Sequence, residues 1–498
     1  MTKFNLIFIH PFFFGFFPIV SLYSYNLGII PIQDFFYSIG ISILAISVSH
    51  LILFFIFKKP YKTSLVLSLG IILFFFYGHF YNLLSGFYSD TYLNHRFVLI
   101  PFIIFFIIPI IFIFKTNNKL DNINKIVTSI SVILLIISSS NILVNTTFSE
   151  DVEINSIINE NTLIKQNPDI YYLILDAYGD AYTLDRHFNY DNSNFVDFLK
   201  AKGFQNSDPS FSNYHTTYLS LSSSLNFDYV NNLLDEKNSS FDVISAHKMI
   251  DKNRVMKTLN EFGYVTINFD SGWGPTRQIS EADLNFCNQN YFTSSEFLIS
   301  IAETSIMKLF YAKFFDSDHR ERILCALKQI PIIGTDIEKP IFVFAHLLLP
   351  HPPYIFDHLG NPTMVESLQF SSNDIINEKE LYLDQLQFTN LMIKEIVEIL
   401  SSENAIIIIQ SDHGPPDSIF ALKNNDSTDK DKLRNINYYY FPDDKKIIYD
   451  GITPVNSFRI IFKNYLSNDL EILPDRNFYI DEKENQYKLI EITNELSN

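Results

Sequence analysis

The 498 residues carry 37 Lys and Arg against 55 Asp and Glu, a formal net charge of −18. The imbalance is uneven: residues 1–145 hold eight basic and three acidic side chains (+5), which leaves 29 basic and 52 acidic (−23) for the remainder. So acidic a remainder argues against nucleic acid as a partner, because phosphate backbones are bound by Lys and Arg, and two cysteines, Cys287 and Cys325, are too few for a disulfide framework.

Five apolar stretches come first, at residues 4–23, 35–57, 65–84, 97–114 and 126–145. Each is near the ~20 residues that span a bilayer core. The first is too long for the apolar part of a cleavable signal peptide, and no small-residue cleavage site follows it. His10-Pro11 inside it reads as a kink buried against other helices; the alternative is a functional intramembrane histidine. Lys3, Lys58, Lys59, Lys62, Lys115, Lys119 and Lys125 fall on one side of the spans, and Arg96 alone falls on the other. This bias predicts a cytoplasmic N-terminus. An odd number of spans then puts the rest of the chain in a periplasm or at the cell surface. There a disulfide between Cys287 and Cys325 is permitted; two buried free thiols are the alternative.

Residues 146–168 are polar and weakly periodic, and read as a linker. Ile170–Leu175 is a buried strand ending on Asp176. Residues 194–202 are helical and capped by Gly203. Tyr264–Phe269 is a second strand. Pro340–Leu348 is a third, running into Pro350-His351-Pro352. Residues 378–400 have helical periodicity and lead into Ala405–Gln410, whose four isoleucines read as a strand buried on both faces. Residues 424–432 form a charged loop. Strands alternating with helices predict a mostly parallel α/β sheet with helices on both faces.

The last strand stops on Ser411-Asp412-His413-Gly414. A carboxylate and an imidazole past the carboxyl end of a buried strand lie where open α/β sheets place ligands. Their chemistry suits zinc or manganese; the plain alternative is a polar exit from the strand. A further segment, Asn213–Asn226, has two threonines opening a Ser/Leu run. From this segment alone Thr216 or Thr217 reads as an N-cap, although a hydroxyl there also sits at the positive end of a helix dipole, where a phosphate would be held.

In their order along the chain, these segments resemble the alkaline phosphatase/sulfatase superfamily, in particular its membrane-anchored branch with phosphoethanolamine transferases and lipoteichoic-acid-synthase-like enzymes. The resemblance covers the whole chain and is carried by Pro168–Tyr172 with Asp176, Asn213-Tyr214 with Thr217 and Ser220-Leu221, Phe344-Ala345-His346 with Pro350-His351-Pro352, Ser411–Gly414, and Thr453–Arg459. It implies a five-helix transmembrane domain (1–145), the linker, and an α/β sulfatase-like (alkaline-phosphatase-like) catalytic domain (169–498). It implies one divalent metal ion on Asp176, Thr217, Asp412 and His413, with Thr217 as nucleophile and His351 on the substrate side. Thr216 competes with Thr217 for that role. A threonine hydroxyl is a weak nucleophile that coordination activates. A second metal would have to draw on His346, His351, His358 or Asp384. Neither cysteine stands in the C/S-x-P-x-R setting that sulfatases convert to formylglycine.

The function implied is transfer of a phospho-substituent, resembling phosphoethanolamine or phosphoglycerol, from a membrane lipid donor to an envelope glycan or lipid acceptor. The alternatives are a phosphoric or sulfuric ester hydrolase of the same fold, or a non-catalytic membrane-anchored scaffold.

Overall fold

The structure, a computed structural model, describes residues 8–27, 30–85, 95–116, 120–146, 168–233, 243–288, 295–363, 375–416, 419, 429–466, 470–480 and 489–496. The expected linker therefore lies almost wholly outside the described residues, as do Lys3 and Lys119. The chain divides into two compact units, one made of residues 1–151 with 290–315, the other of residues 152–289 with 316–498.

The first unit contains helices α1 (His10–Tyr25), α2 (Ile32–Phe57), α3 (Pro60–Ser85), α4 (His95–Lys115) and α5 (Asp121–Thr146). Four of these, α2 to α5, are long and apolar enough to cross a membrane. The expected span 4–23 falls short: its described helix has 16 residues and begins at His10. His10 is buried, with Nδ1 2.6 Å from Ser68 Oγ and Nε2 2.9 Å from Asn124 Oδ1. An amide oxygen only accepts, so Nε2 donates to it and the serine hydroxyl donates to Nδ1. The ring is satisfied on both sides by α3 and α5, which is a structural role.

Residues 290–315 interrupt the outer domain expected over 169–498. They include helix α13 (Glu296–Thr304), numbered here after the shorter helices described below. Its Phe297 is buried with Ile19 and Tyr23 of α1, and Ser295 Oγ donates to Asp34 Oδ2 of α2 at 2.5 Å. A Cβ on Gly78 of α3 would stand 2.0 Å from the Glu303 carbonyl, so glycine there admits the close backbone approach. Apolar packing and this contact place the segment with the helices rather than with the sheet.

The second unit is built on a seven-stranded sheet in the order β2-β7-β6-β1-β5-β3-β4. Its strands are β1 (Asp169–Leu175), β2 (Gln205–Asn206), β3 (Val265–Phe269), β4 (Leu284–Phe286), β5 (Ile341–Leu347), β6 (Ala405–Gln410) and β7 (Asn437–Tyr440). The run β6-β1-β5-β3-β4 is parallel, and β7 is antiparallel to both its neighbours. In β1, Tyr171, Leu173 and Leu175 enter one apolar core, while Ile170, Tyr172 and Ile174 enter the other. Ile407 and Ile409 of β6 go to the first core, Ile406 and Ile408 to the second. This two-faced burial is why these strands read as continuous apolar runs.

The helices between strands are α6 (Ala181–Phe188), α7 (Ser193–Ala201), α8 (Thr217–Asn226), α9 (Val230–Leu233), α10 (Val243–Asp251), α11 (Arg254–Glu261) and α12 (Gly274–Arg277). After α13 come α14 (Lys308–Gln329), α15 (Ile375–Leu400), α16 (Asp429–Leu433) and α17 (Ser457–Tyr465). The loop expected over 424–432 is described only from residue 429, where it is helix α16. Cys287 and Cys325 form a disulfide.

Candidate metal and nucleophile site

Three neighbouring strands deliver the first groups. Asp176 directly follows β1, Asp412 lies two residues past β6, and His346 is the penultimate residue of β5. All three side chains are buried. Their potential ligand atoms lie within 4.8 Å of one another. The chain turns sharply after Asp176: Ala177 has φ +60, its N–H donates to Asp412 Oδ1 at 3.1 Å, and its carbonyl accepts from Tyr382 Oη at 2.9 Å. A non-glycine residue in the left-handed region is held there only by its surroundings. Here the bonds tie one carboxylate strand end to the other.

His413 completes the group from the loop after β6. Its Nδ1 is 2.7 Å from the Gly414 carbonyl, so Nδ1 carries the proton and Nε2 presents its lone pair. Nε2 lies 3.3 Å from Asp412 Oδ2, 3.8 Å from Asp176 Oδ1 and 3.1 Å from Thr217 Oγ1. A lone pair facing two carboxylates is repulsive unless a cation sits among them. Buried Asp176 Oδ1, Asp412 Oδ2 and His346 Nε2 each lack a hydrogen bond, although His346 Nε2 is 3.3 Å from Asp176 Oδ2. Unsatisfied buried polar atoms are costly and call for an explanation. Three such atoms converging from carboxylates and an imidazole fit a divalent cation of the zinc or manganese type. Burial alone would favour the neutral acid at Asp176, but the imidazoles of His351 and His346 beside it hold it below the usual carboxylate range.

Thr217 is the first residue of α8, and Thr216 is the residue before it, in extended conformation and making no side-chain cap. The Thr217 hydroxyl meets His413, whereas the buried Thr216 hydroxyl makes no hydrogen bond. Ser220, one turn on, has its hydroxyl 2.7 Å from the Asp412 carbonyl and 2.9 Å from that of Tyr214, which fixes α8 against the end of β6. His351 lines the same cavity of about 350 Å³ as Thr217 and His413. Its Nδ1 donates to the Pro352 carbonyl at 2.6 Å. The cavity wall also includes Trp273, His215 and Lys432, which the sequence alone did not single out. His346, which the sequence offers for a second metal, lies with the carboxylates of Asp176 and Asp412. His358 and Asp384, the other candidates for a second site, pair with each other at 3.4 Å on the surface.

Residues 168–445 match the family model described as Sulfatase. No curated protein matches the sequence. Among solved structures, the C-terminal periplasmic domain of EcEptC from Escherichia coli in complex with Zn is 12% identical, with a TM-score of 0.44 over 66% of this chain and 94% of that one. The integral membrane lipooligosaccharide phosphoethanolamine transferase A (EptA) from Neisseria meningitidis is 10% identical, with a TM-score of 0.40 over 91% of this chain and 94% of that one.

Proposed function

The chain belongs to the sulfatase family and is an enzyme of the alkaline phosphatase/sulfatase superfamily; from that premise we propose that it is a membrane-anchored, metal-dependent transferase that moves a phospho-substituent from a lipid donor to an envelope acceptor through a phospho-threonine intermediate. The observation that carries this reading is the convergence of Thr217 Oγ1 and the lone-pair side of His413 on the buried carboxylates of Asp176 and Asp412. Asp176, Asp412, His413 and Thr217 would hold the metal, with His346 joining them from β5. Bound there, a divalent cation lowers the pKa of the threonine hydroxyl and offsets charge on the phosphoryl oxygens.

The remaining roles belong to the chain. Thr217 Oγ1, having lost its proton to solvent and standing as the alkoxide, attacks the phosphorus of the donor phosphodiester; the bond from phosphorus to the lipid oxygen breaks, and the second half-reaction returns Thr217 as the alkoxide. The N–H groups at the open end of α8 hold phosphoryl oxygens in place of water. His351, on the cavity wall, gives a proton to the departing lipid oxygen. In the second half-reaction the acceptor hydroxyl loses its proton to the same imidazole and displaces Thr217. The apolar helices of the first unit would tether such an enzyme to a lipid bilayer. With Thr217 as nucleophile, the formylglycine route to sulfate esters is not used.

The test is to incubate the full chain in micelles with zinc or manganese and phosphatidylethanolamine or phosphatidylglycerol, then map covalent adducts by mass. The expected adduct is a phosphate-bearing group on Thr217, absent in Asp412→Asn, which also loses metal. An adduct on Thr216, or a Thr217→Ala enzyme that still turns over, would sink the assignment. Release of free headgroup phosphate with no transfer to any hydroxyl acceptor would make the enzyme a hydrolase.

A further inference from the structure

Helix α14 brings one more charged group beneath the site. Arg322 is 2% exposed and heads the largest fully buried side chains among the described residues. Burying a guanidinium costs several kcal/mol unless its donors are met by anions in good geometry. Arg322 Nη2 donates to Asp318 Oδ2 at 2.6 Å, one turn earlier on α14. Its Nε makes no hydrogen bond and lies at ion-pair distance, 3.7 Å, from Oδ1 of Asp270, the residue that follows β3. Asp270 Oδ1 in turn accepts the Gly272 N–H at 2.7 Å, closing a turn. Gly272 has φ +83, and a Cβ there would stand 2.0 Å from Arg322 Nη1. The Nη1 end of the guanidinium therefore abuts the turn at Gly272, and both the positive φ and this contact favour glycine there.

The far side of this turn faces the site. Ser271 Oγ accepts the Trp273 N–H at 2.9 Å and is 2.6 Å from Thr276 Oγ1. Thr276 Oγ1 is 2.9 Å from Nδ1 of His346, whose Nε2 is directed at Asp176. The Trp273 indole packs edge-on against the His346 ring, with centroids 5.6 Å apart, and lines the cavity. The arginine is fixed to the same sheet edge by a second route. The Asp270 N–H donates to the Phe286 carbonyl at 2.9 Å, Cys287 comes next, and its disulfide partner Cys325 is three residues after Arg322. Asp270, Phe286, Cys287, Cys325 and Arg322 form a closed circuit.

We propose that Arg322 is a positioning residue: with Asp270 and Asp318 it locks the turn 270–273, and through that turn sets the Trp273 wall of the cavity and the ring of His346. Its effect on turnover rests on the phosphoryl-transfer reading above. Its effect on the turn does not, and Trp273, the single tryptophan of the chain, reports it directly.

The experiment uses the full chain in micelles at neutral pH. It compares wild type, Arg322→Lys, Arg322→Met, and Arg322→Met combined with Asp270→Asn and Asp318→Asn. The triple variant removes the stranded buried carboxylates, so it is expected to fold even where Arg322→Met does not. Arg322→Met and the triple variant are expected to shift Trp273 emission to the red and to raise acrylamide quenching several-fold. Arg322→Lys, which keeps the charge, should recover part of the wild-type emission. In the lipid-donor assay kcat should fall on the order of ten- to a hundredfold, the size expected when a site wall is displaced by about 1 Å. A wild-type chain inactive on every lipid donor would defeat the transferase reading, and the fluorescence would still decide the role of Arg322. A folded triple variant with wild-type emission and quenching would overturn the proposal.

Discussion

His247 shows how one half-buried side chain writes a pH dependence into the catalytic unit. It sits on α10 with its ring edge-on to Trp273 at 5.5 Å, and its buried Nδ1 makes no hydrogen bond. Burial is the cause of its shift, which lowers the imidazole from the ordinary 6.5 to about 4. A group whose folded pKa is depressed stabilises the fold above its unfolded pKa, and that contribution is lost as pH falls. The window here runs from about 6.5 down to about 4, because the unfolded chain takes up the proton first. The loss is on the order of 2–3 kcal/mol across that range, from about 1.4 kcal/mol per unit of pKa. Replacing His247 by Leu keeps an apolar side chain of similar bulk and removes the titration. Thermal melts of the two proteins at pH 7.5 and 4.5 should then show a smaller fall in Tm for His247→Leu. Equal falls would mean that the ring finds water or an anion when it is protonated.

Among the elements, α8 matters most, because it sets the distance between the threonine and the end of β6. Its sequence, Thr217–Asn226, reads as a bland Ser/Leu run, yet Ser220, Ser222, Ser223 and Ser224 are all buried and bonded to carbonyl groups. Ser220→Ala removes the hydroxyl that ties α8 to Asp412, at a cost of about 1 kcal/mol, small enough to leave the fold intact. The expected result is a fall in kcat with metal content preserved, measured by turnover of the lipid donor and by elemental analysis of the protein. An unchanged kcat would show that packing alone places Thr217. The strands that carry the two carboxylates and His346 were legible because β1, β5 and β6 are runs of six or seven residues buried on both faces. By contrast, β2 and β4 have two and three residues and β7 has four, too short for a period to emerge. Asp176, Asp412 and His413 could be read because each closes an apolar run. Nothing in the sequence marked the Trp273 turn or Arg322. An Asp318–Arg322 pair spaced i, i+4 ordinarily signals a solvent-facing helix surface, and only the approach of Asp270 from a distant strand reverses that reading.

At the scale of the whole chain, the orientation in the membrane decides whether the site can reach an envelope acceptor. The basic bias of the loops argues for a cytoplasmic N-terminus, and the first unit adds two observations. Lys62 does not face solvent: its ammonium donates to the carbonyl groups of Phe114 and Thr116, so the start of α3 and the end of α4 share one level, and the bias stands at six to one without it. Helix α13 meets Asp34 in the first turn of α2 and Gly78 toward the end of α3, which is the opposite end of those helices. On the basic bias, the end bearing Asp34 is expected to lie outside the cytoplasm and the lysine-rich end inside it. Tyr25, 82% exposed at the end of α1, and Lys59, exposed between α2 and α3, mark the two levels. The native cysteines are joined to each other, so a cysteine introduced at either position is the free thiol. In cells with a permeable outer envelope, Tyr25→Cys should react with a membrane-impermeant maleimide, and Lys59→Cys should react only after the membrane is lysed. Reversed labelling would put Asp176, Thr217 and Asp412 in the cytoplasm, where an envelope acceptor is out of reach and the transferase reading fails with the topology.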